Sequence, residues 1–370
     1  RSTVVCQSGI VCTSQPLASM AGIDALKAGG NCVDAAIAAN AVLGVTEPAS
    51  CGIGGDLFAI LWHEKEGRLF GLNASGRAPR AWTLEKARER GLERIPRESP
   101  LAWSVPGCVS GWEALGERFG TRSLGEDLEA AIHYASEGFP VSPIISGHFE
   151  WKDEDAPHLA AVYHPDGQVP GFGDVFRNPA LAESYRALAR DGAAAFYEGK
   201  IAERIVAKSD ELGGVMSLQD LATHEATWVD PVSASYRGWD VWEIPPNGQG
   251  IAALQILNLL EHFDIGSLEP NSPEHLHLFV EAKKLAFEDR ARYYADPGFA
   301  EVPVEWLISK DYAAERVKLI DPRRARDRVR HGDPALDSDT IYLSAADGEG
   351  NMISFIQSLY YGFGSTICPG

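Results

Sequence analysis

Apolar residues recur at helical spacing over 18–29, and Gly29-Gly30 supplies a stop, so the first predicted element is a helix. Asn31 is placed to cap a second helix over 34–45, whose Ala35, Ala36, Ala38, Ala39 and Ala41 suit close packing against another layer. After the turn Gly52-Ile53-Gly54-Gly55-Asp56, residues 57–62 and 68–72 read as two strands of a hairpin around Glu64-Lys65-Glu66-Gly67. Thr3-Val4-Val5-Cys6, near the start, is strand-like as well. From about 110 to 235 helical patterns alternate with polar turns. Residues 238–244 then read as a strand ending at Pro245-Pro246-Asn247-Gly248-Gln249-Gly250, followed by an apolar helix over 251–262 and another near 274–295. Helices mixed with hairpins predict a fold with antiparallel sheet, not a doubly wound parallel one.

The sharpest break comes late. Residues 321–339 hold five Arg, five Asp and a Gly-Asp-Pro, with few apolar positions, and at Thr340 a hydrophobic strand begins. Strand patterns at 341–346 and 352–358 flank Asp347-Gly348-Glu349-Gly350-Asn351, a strong turn signal. With the turn centred on Glu349, paired residue numbers sum to 698, so Thr340 is expected to face Ser358 across the hairpin. A hydroxyl needs a base to become a nucleophile at neutral pH, and an N-terminal threonine can use its own α-amine. That amine is free only once the preceding peptide bond is cut, and a polar segment such as 321–339 could then move aside. The plainer reading of Thr340 is a β-branched residue at a strand start.

Composition narrows the partners. The net charge of −19 argues against nucleic acid and anionic membranes, and 45% hydrophobic residues provide for a sizeable core. No run of eighteen apolar residues exists, so no membrane span is expected. The chain opens at Arg1 with no visible signal peptide; a natural N-terminus missing from the sequence would leave a cytoplasmic, periplasmic or secreted location open for a soluble protein. Six cysteines without a CxxC pair read as mostly free, buried thiols. The spacings of His275 with His277 and His158 with His164 fit no zinc helix, and the glycines at 52–55 lack a phosphate-loop pattern. No metal or cofactor is expected, and those glycines read as a tight turn close to the active site.

Taken together, Asp339-Thr340-Ile341-Tyr342-Leu343-Ser344, the turn 347–351 and Tyr361-Gly362-Phe363-Gly364-Ser365 resemble the start of the small subunit of the gamma-glutamyltransferase (glutathione hydrolase) family and its cephalosporin-acylase-like branch. Upstream, Gly29 to Ala36, Gly52 to Asp56, Val105-Pro106-Gly107, Pro245 to Gly250 and Glu281 to Arg290 match in the family's order. The resemblance implies an α+β fold, the four-layer αββα sandwich of N-terminal-nucleophile hydrolases, truncated here on its C-terminal side. It implies a zymogen that cuts itself between Asp339 and Thr340. The large subunit would be 1–339, with 321–339 as its pre-cleavage tail, and 340–370 would begin the small subunit. Thr340 would be the catalytic nucleophile and Ser358 the hydroxyl that supports it. The implied activity, within glutathione metabolism, is cleavage of gamma-glutamyl or related acyl amides through a Thr340 acyl-enzyme released by water or an amino acid. The implied partners are that small-molecule substrate, the chain's own small subunit and, in the largest assembly, a dimer of heterodimers.

Two departures bear on the substrate. Where many members carry Arg-x-x-Ala-Pro to grip an α-carboxylate, this chain has Ser75-Gly76-Arg77-Ala78-Pro79, and twenty residues past the nucleophile it has Tyr360 where Asn is frequent. Ser75, Arg77 and Tyr360 are therefore the expected substrate-binding positions. They lean toward a glutaryl or cephalosporin-type acylase as the alternative, with a non-catalytic scaffold as a second. Gly370 falls about thirty residues into the expected small subunit, so the oxyanion-hole glycines are expected beyond it and this stretch alone is expected to be inactive.

Overall fold

The computed structural model describes residues 2–152, 154, 156–326 and 341–369. The chain forms two compact units, one of Arg1–Arg68, Leu72–Thr227 and Asp337–Gly370, the other of Leu69–Gly71 and Trp228–Leu336. Among the described residues no helix is long and apolar enough to cross a membrane.

The first unit is organised by strands β1 (Gly9–Cys12), β2 (Asp56–His63) and β3 (Arg68–Ala74) and helices α1 (Pro16–Lys27), α2 (Cys32–Thr46), α3 (Cys108–Phe119) and α4 (Leu124–Glu137). The second unit contributes, in chain order, strands β4 (Val232–Tyr236) and β5 (Trp239–Glu243) and helices α5 (Ile251–Leu260), α6 (Pro273–Tyr293) and α7 (Lys310–Arg316). The chain then returns to the first unit as β6 (Ile341–Asp347) and β7 (Met352–Ser358). In the first unit the strand order is β1-β6-β7-β2-β3, so the late hairpin is inserted between strands from the start of the chain.

The hairpin register is the expected one. Met352 pairs with Ala346 and so on to Gln357 with Ile341, every pair summing to 698. Alternation then sorts the faces. Leu57, Ala59, Leu61, Ile341, Leu343, Ala345, Ile353, Phe355 and Gln357 are buried, while Tyr342, Met352 and Ile356 on the opposite face are exposed. The buried face meets α2, every residue of which is buried. A helix that is apolar all round belongs inside, and its alanines let it lie close to the sheet on one side and to α1 and α4 on the other.

The start of α2 is fixed by a capping box. The Asn31 side chain accepts from the backbone N–H of Val33 and Asp34, and Asp34 accepts from Asn31 N–H at 2.7 Å. Asp34 is fully buried, yet it also accepts from the Thr121 and Arg122 N–H groups at 3.0 and 3.1 Å and from the Thr121 hydroxyl at 2.6 Å. A buried carboxylate is tolerable when it is hydrogen-bonded so completely.

The second unit packs α5 against α6 around Leu259, Leu278, Ala282 and Leu285. Its buried Asp289 accepts from Gln255 Nε2 at 2.9 Å, Tyr312 OH at 2.9 Å and Arg316 at 3.0 Å.

Several expectations are corrected. Residues 3–6 form no strand; β1 begins at Gly9 instead, where φ is 134° and a side chain would meet Ala346 O at 2.8 Å. β4 lies in a stretch read as helices and turns, and its Val-Ser-Ala-Ser-Tyr pattern is too polar to signal a strand, although it pairs antiparallel with β5. Of the cysteines, Cys32, Cys51 and Cys108 are buried, Cys368 is half-buried and Cys6 and Cys12 are exposed, because the segment that carries the first two is an edge strand and its lead-in.

Asp34→Ala should leave three N–H groups without their carboxylate partner and destabilise the first unit by about 1–3 kcal/mol. Thermal unfolding should show a lower midpoint for that unit, and an unchanged midpoint would rule the network out as a stabilising feature.

Candidate active site

Ser358 is the last residue of β7, and Asp56 is the first of β2. The two strands pair antiparallel from Met352 with Trp62 to Ser358 with Asp56. Ser358 is half-buried, and its hydroxyl oxygen accepts the Tyr360 N–H at 2.7 Å. That short turn sends Tyr360 into the left-handed region, φ 71°, and the residue is 76% exposed. Thr340 and Asp339 lie outside the described residues, as do residues 327–338 of the polar tail.

The end of β7 is locked to the glycine turn. Buried Gln357 donates from Nε2 to Gly52 O at 2.8 Å and accepts the Gly52 N–H on Oε1 at 2.9 Å. Leu359 N–H reaches Ser50 O at 3.2 Å, and Phe363 N–H reaches Ala49 O at 2.8 Å. A Cβ on Gly55 would sit 2.1 Å from Ser358 O, so only glycine allows this approach. The carbonyl of Gly55 in turn accepts the N–H groups of Gly107 and Cys108 at 3.0 and 2.9 Å. The tight turn expected at 52–55 is thus the junction between Ser358 and the start of α3.

Asp56 ties in the third segment. Its Oδ1 accepts the Gly76 N–H at 2.9 Å, between the expected substrate positions Ser75 and Arg77. Gly76 is as constrained as Gly55, since a side chain there would meet Val105 O at 1.5 Å. Burial pushes the Asp56 carboxyl up to about 6, against the opposing effect of the Gly76 N–H. Ser75 donates from its N–H and its hydroxyl to Asn73 Oδ1, at 3.0 and 2.8 Å. Arg77 is exposed, while its carbonyl accepts Val105 N–H at 2.9 Å.

Beside this loop sits His224, which sequence reading did not single out. Burial, and then the charge of Arg77, push it down to about 4, so it is neutral at physiological pH. His224 Nε2 lies 3.0 Å from Ser110 Oγ, whose proton goes to Gly107 O at 2.8 Å, so the imidazole acts as donor. The pair is a brace for residues 105–107 and not a base for a serine nucleophile. Tyr197 reinforces it by donating to Pro106 O at 2.7 Å and accepting Ser110 N–H at 3.1 Å. Beyond Tyr360, the Arg97 guanidinium lies 4.3 Å from the Tyr361 ring centre, and Trp103 Nε1 donates to Ser365 Oγ at 2.7 Å.

The structure therefore joins Ser358 to the Ser75–Arg77 segment through Asp56, with Tyr360 at the rim. Asp56 was visible in sequence only as the end of a glycine motif; His224 carried no signal, because the loops that surround it come from distant parts of the chain.

The chain is similar to known proteins along nearly its whole length. The gamma-glutamyltranspeptidase family model matches residues 18–370. A glutathione hydrolase-like YwrD proenzyme of Bacillus subtilis (strain 168) is 38% identical, over all of this chain and 70% of its own length. A glutathione hydrolase proenzyme of the same organism is 31% identical over 98% of this chain and 66% of its own length. The crystal structure of a cephalosporin acylase from Bacillus halodurans superposes with a TM-score of 0.88 at 41% identity, over all of this chain and 69% of that one. The chain thus spans about two thirds of the length of these proteins, and the mixed helix-and-sheet hydrolase fold expected of it is theirs. On its sequence and its fold alike, the chain belongs to the gamma-glutamyltranspeptidase family.

Proposed function

We propose that this chain is the nucleophile-bearing part of a proenzyme that cuts itself between Asp339 and Thr340 and then cleaves gamma-glutamyl or related dicarboxylic-acyl amides. The observation that carries the proposal is the register. Ile341, which directly follows Thr340, pairs with Gln357, and the next rung on β7 is Ser358. Thr340 on that rung would have a hydroxyl partner held by the Tyr360 N–H.

In the cleavage step the Thr340 hydroxyl oxygen adds to the Asp339 carbonyl carbon, the peptide nitrogen leaves with a proton, and water hydrolyses the resulting ester. The products are the Asp339 carboxylate and a free Thr340 amine. In turnover that amine takes the hydroxyl proton, Thr340 Oγ attacks the substrate carbonyl, and the amide nitrogen departs protonated. Water, or an amino acid as acceptor, then releases the acyl group. The large subunit would run to Asp339, with 321–339 as its tail, and the small subunit would start at Thr340. The two would stay joined through the sheet, since β7 pairs with β2.

Substrate choice follows from the loop at 75–77. The exposed Arg77 guanidinium is available for the far carboxylate of the acyl group, to which its fork geometry is suited. Ser75 brings no positive charge and is bonded to Asn73. One cation near the head group favours an acyl chain ending in a plain carboxylate, which supports the glutaryl-acylase reading beside the gamma-glutamyl one. Tyr360 would close the rim of that pocket.

Expressed from its full gene, the protein should give two bands, the smaller beginning at Thr340 by mass spectrometry. Thr340→Ala should stay a single chain with turnover lowered by about 10⁴-fold or more, and an intact, inert wild-type chain would refute the enzyme reading in favour of a scaffold. Given a gamma-glutamyl anilide and a glutaryl amide, the mature enzyme should turn over the second faster and the first weakly. The reverse order would show that Ser75 and Tyr360 admit an α-amino acid head.

A further inference from the structure

We infer that Arg97 binds a carboxylate on the leaving amine of the substrate, so that the favoured amides carry a carboxylate at each end. This rests on the acyl-amide reading above, with Arg77 as the cation for the acyl head.

Charge sets this part of the chain apart. Residues 77–97 hold seven basic and three acidic residues, a net +4 in a chain of net −19. Clustered cations beside a site raise the local concentration of anions. Two of these cations are taken up within the fold, since Arg80 donates to Thr223 Oγ1 at 3.2 Å and Arg90 donates to Gly213 O at 2.9 Å. Arg97 is exposed, and its guanidinium makes no hydrogen bond or ion pair among the described residues.

The segment from Arg97 to Val105 brings that cation to the candidate site. Val105 donates its N–H to Arg77 O at 2.9 Å, and Trp103 donates from Nε1 to Ser365 Oγ at 2.7 Å. Before Trp103, Ser99 caps a single 3₁₀ turn, Pro100–Ala102, whose Pro100 and Leu101 are buried. That turn anchors the segment, and Arg97 ahead of it lies over Tyr361, 4.3 Å from the ring centre. Stacking holds a planar guanidinium by its face and leaves the edge that carries its N–H donors open. A carboxylate meets arginine along that edge in a bidentate pair.

The ring beneath Arg97 is fixed in turn. Tyr361 lies three residues past Ser358, in a loop where Tyr360, Phe363 and Thr366 all have left-handed backbone, φ 71°, 57° and 62°. Such a backbone is costly for bulky residues and persists only where the surroundings impose it. Here the Phe363 ring packs against Trp151 and Tyr163, with ring centres 5.0 and 5.2 Å away, and its N–H donates to Ala49 O at 2.8 Å. Arg77 connects to the Ser358 rung by a different route, through Gly76 and Asp56. Two cations that reach the neighbourhood of Ser358 on two different loops suit a substrate with a carboxylate on both sides of its amide.

The test uses the processed full gene product and two glutaryl amides, of 4-aminobenzoate and of 4-aminobenzamide, whose leaving amines differ in charge. The wild type should favour the aminobenzoate amide in kcat/KM, chiefly through KM, and the preference should shrink as ionic strength rises. Arg97→Ala should lower the ratio of the two kcat/KM values by about 10- to 100-fold. Arg97→Lys keeps the charge without the fork and should restore part of that ratio. Arg77→Ala should slow both amides alike and leave the ratio in place. A wild type without the preference would overturn the inference. So would an unchanged ratio in Arg97→Ala, and if both amides slowed equally there, Arg97 would be reduced to a support for the Tyr361 loop. Turnover of neither amide by the wild type would instead strike the acyl-amide reading itself, and this inference with it.

Discussion

The antiparallel pairing of β7 with β2 is the constraint on which the candidate site depends. It joins a strand from the end of the chain to one from the beginning and ends on the rung that holds Ser358 and Asp56. Backbone pairing alone would fix the strands but not their last residue. The double hydrogen bond between buried Gln357 and Gly52, together with the approach of Gly55 to Ser358 O, pins that residue to a turn on the far side of the sheet end. A slip of one residue would turn Ser358 into the α2 face and Gln357 out of it, so the register that builds the core also builds the site.

The unit treats the fully buried Asp34 and the half-buried Asp56 in two different ways. Asp34 is surrounded by backbone donors from its own helix cap and from the end of α3, and it serves to fix α2. Asp56 has one backbone donor among the hydrogen bonds given above and a raised pKa. A carboxyl satisfied that sparingly contributes to stability while protonated, and this contribution fades as pH rises through about 6, since the folded state then holds a charge that burial disfavours. Stability alone would favour an apolar residue there. Its place directly opposite Ser358 puts this carboxyl on the rung that ends the β7–β2 pairing.

What could be read from the sequence was what short-range chemistry decides. The turn at 347–351 is symmetric, so the hairpin register followed from alternation, and Asn31 marked the cap of α2. What could not be read depends on segments far apart in the chain. Asp56 is bonded to Gly76 of a loop twenty residues on, His224 is held neutral by burial and then by the charge of Arg77, and the place of the two exposed cysteines depends on an edge strand that only the sheet reveals. Strand β4 was missed for a local reason, since its alternating serines mimic a loop. Residues 339 and 340, on which the sequence argument turned, are reached only through their neighbour Ile341.

The same geometry bears on why specificity is harder to read than mechanism. The rung proposed for the nucleophile belongs to paired strands, where a residue number determines a partner. The substrate head would be met by the loop at 75–77, where a shift of two positions between Ser75 and Arg77 moves a cation by several ångströms. Asp56 links the two regions by holding Gly76 with one carboxylate oxygen while facing Ser358. A change in that loop would therefore reach the Ser358 rung through the same carboxyl. In a chain whose relatives are named both as glutathione hydrolases and as a cephalosporin acylase, such a link would let a few loop residues change the substrate head group while the sheet keeps its register.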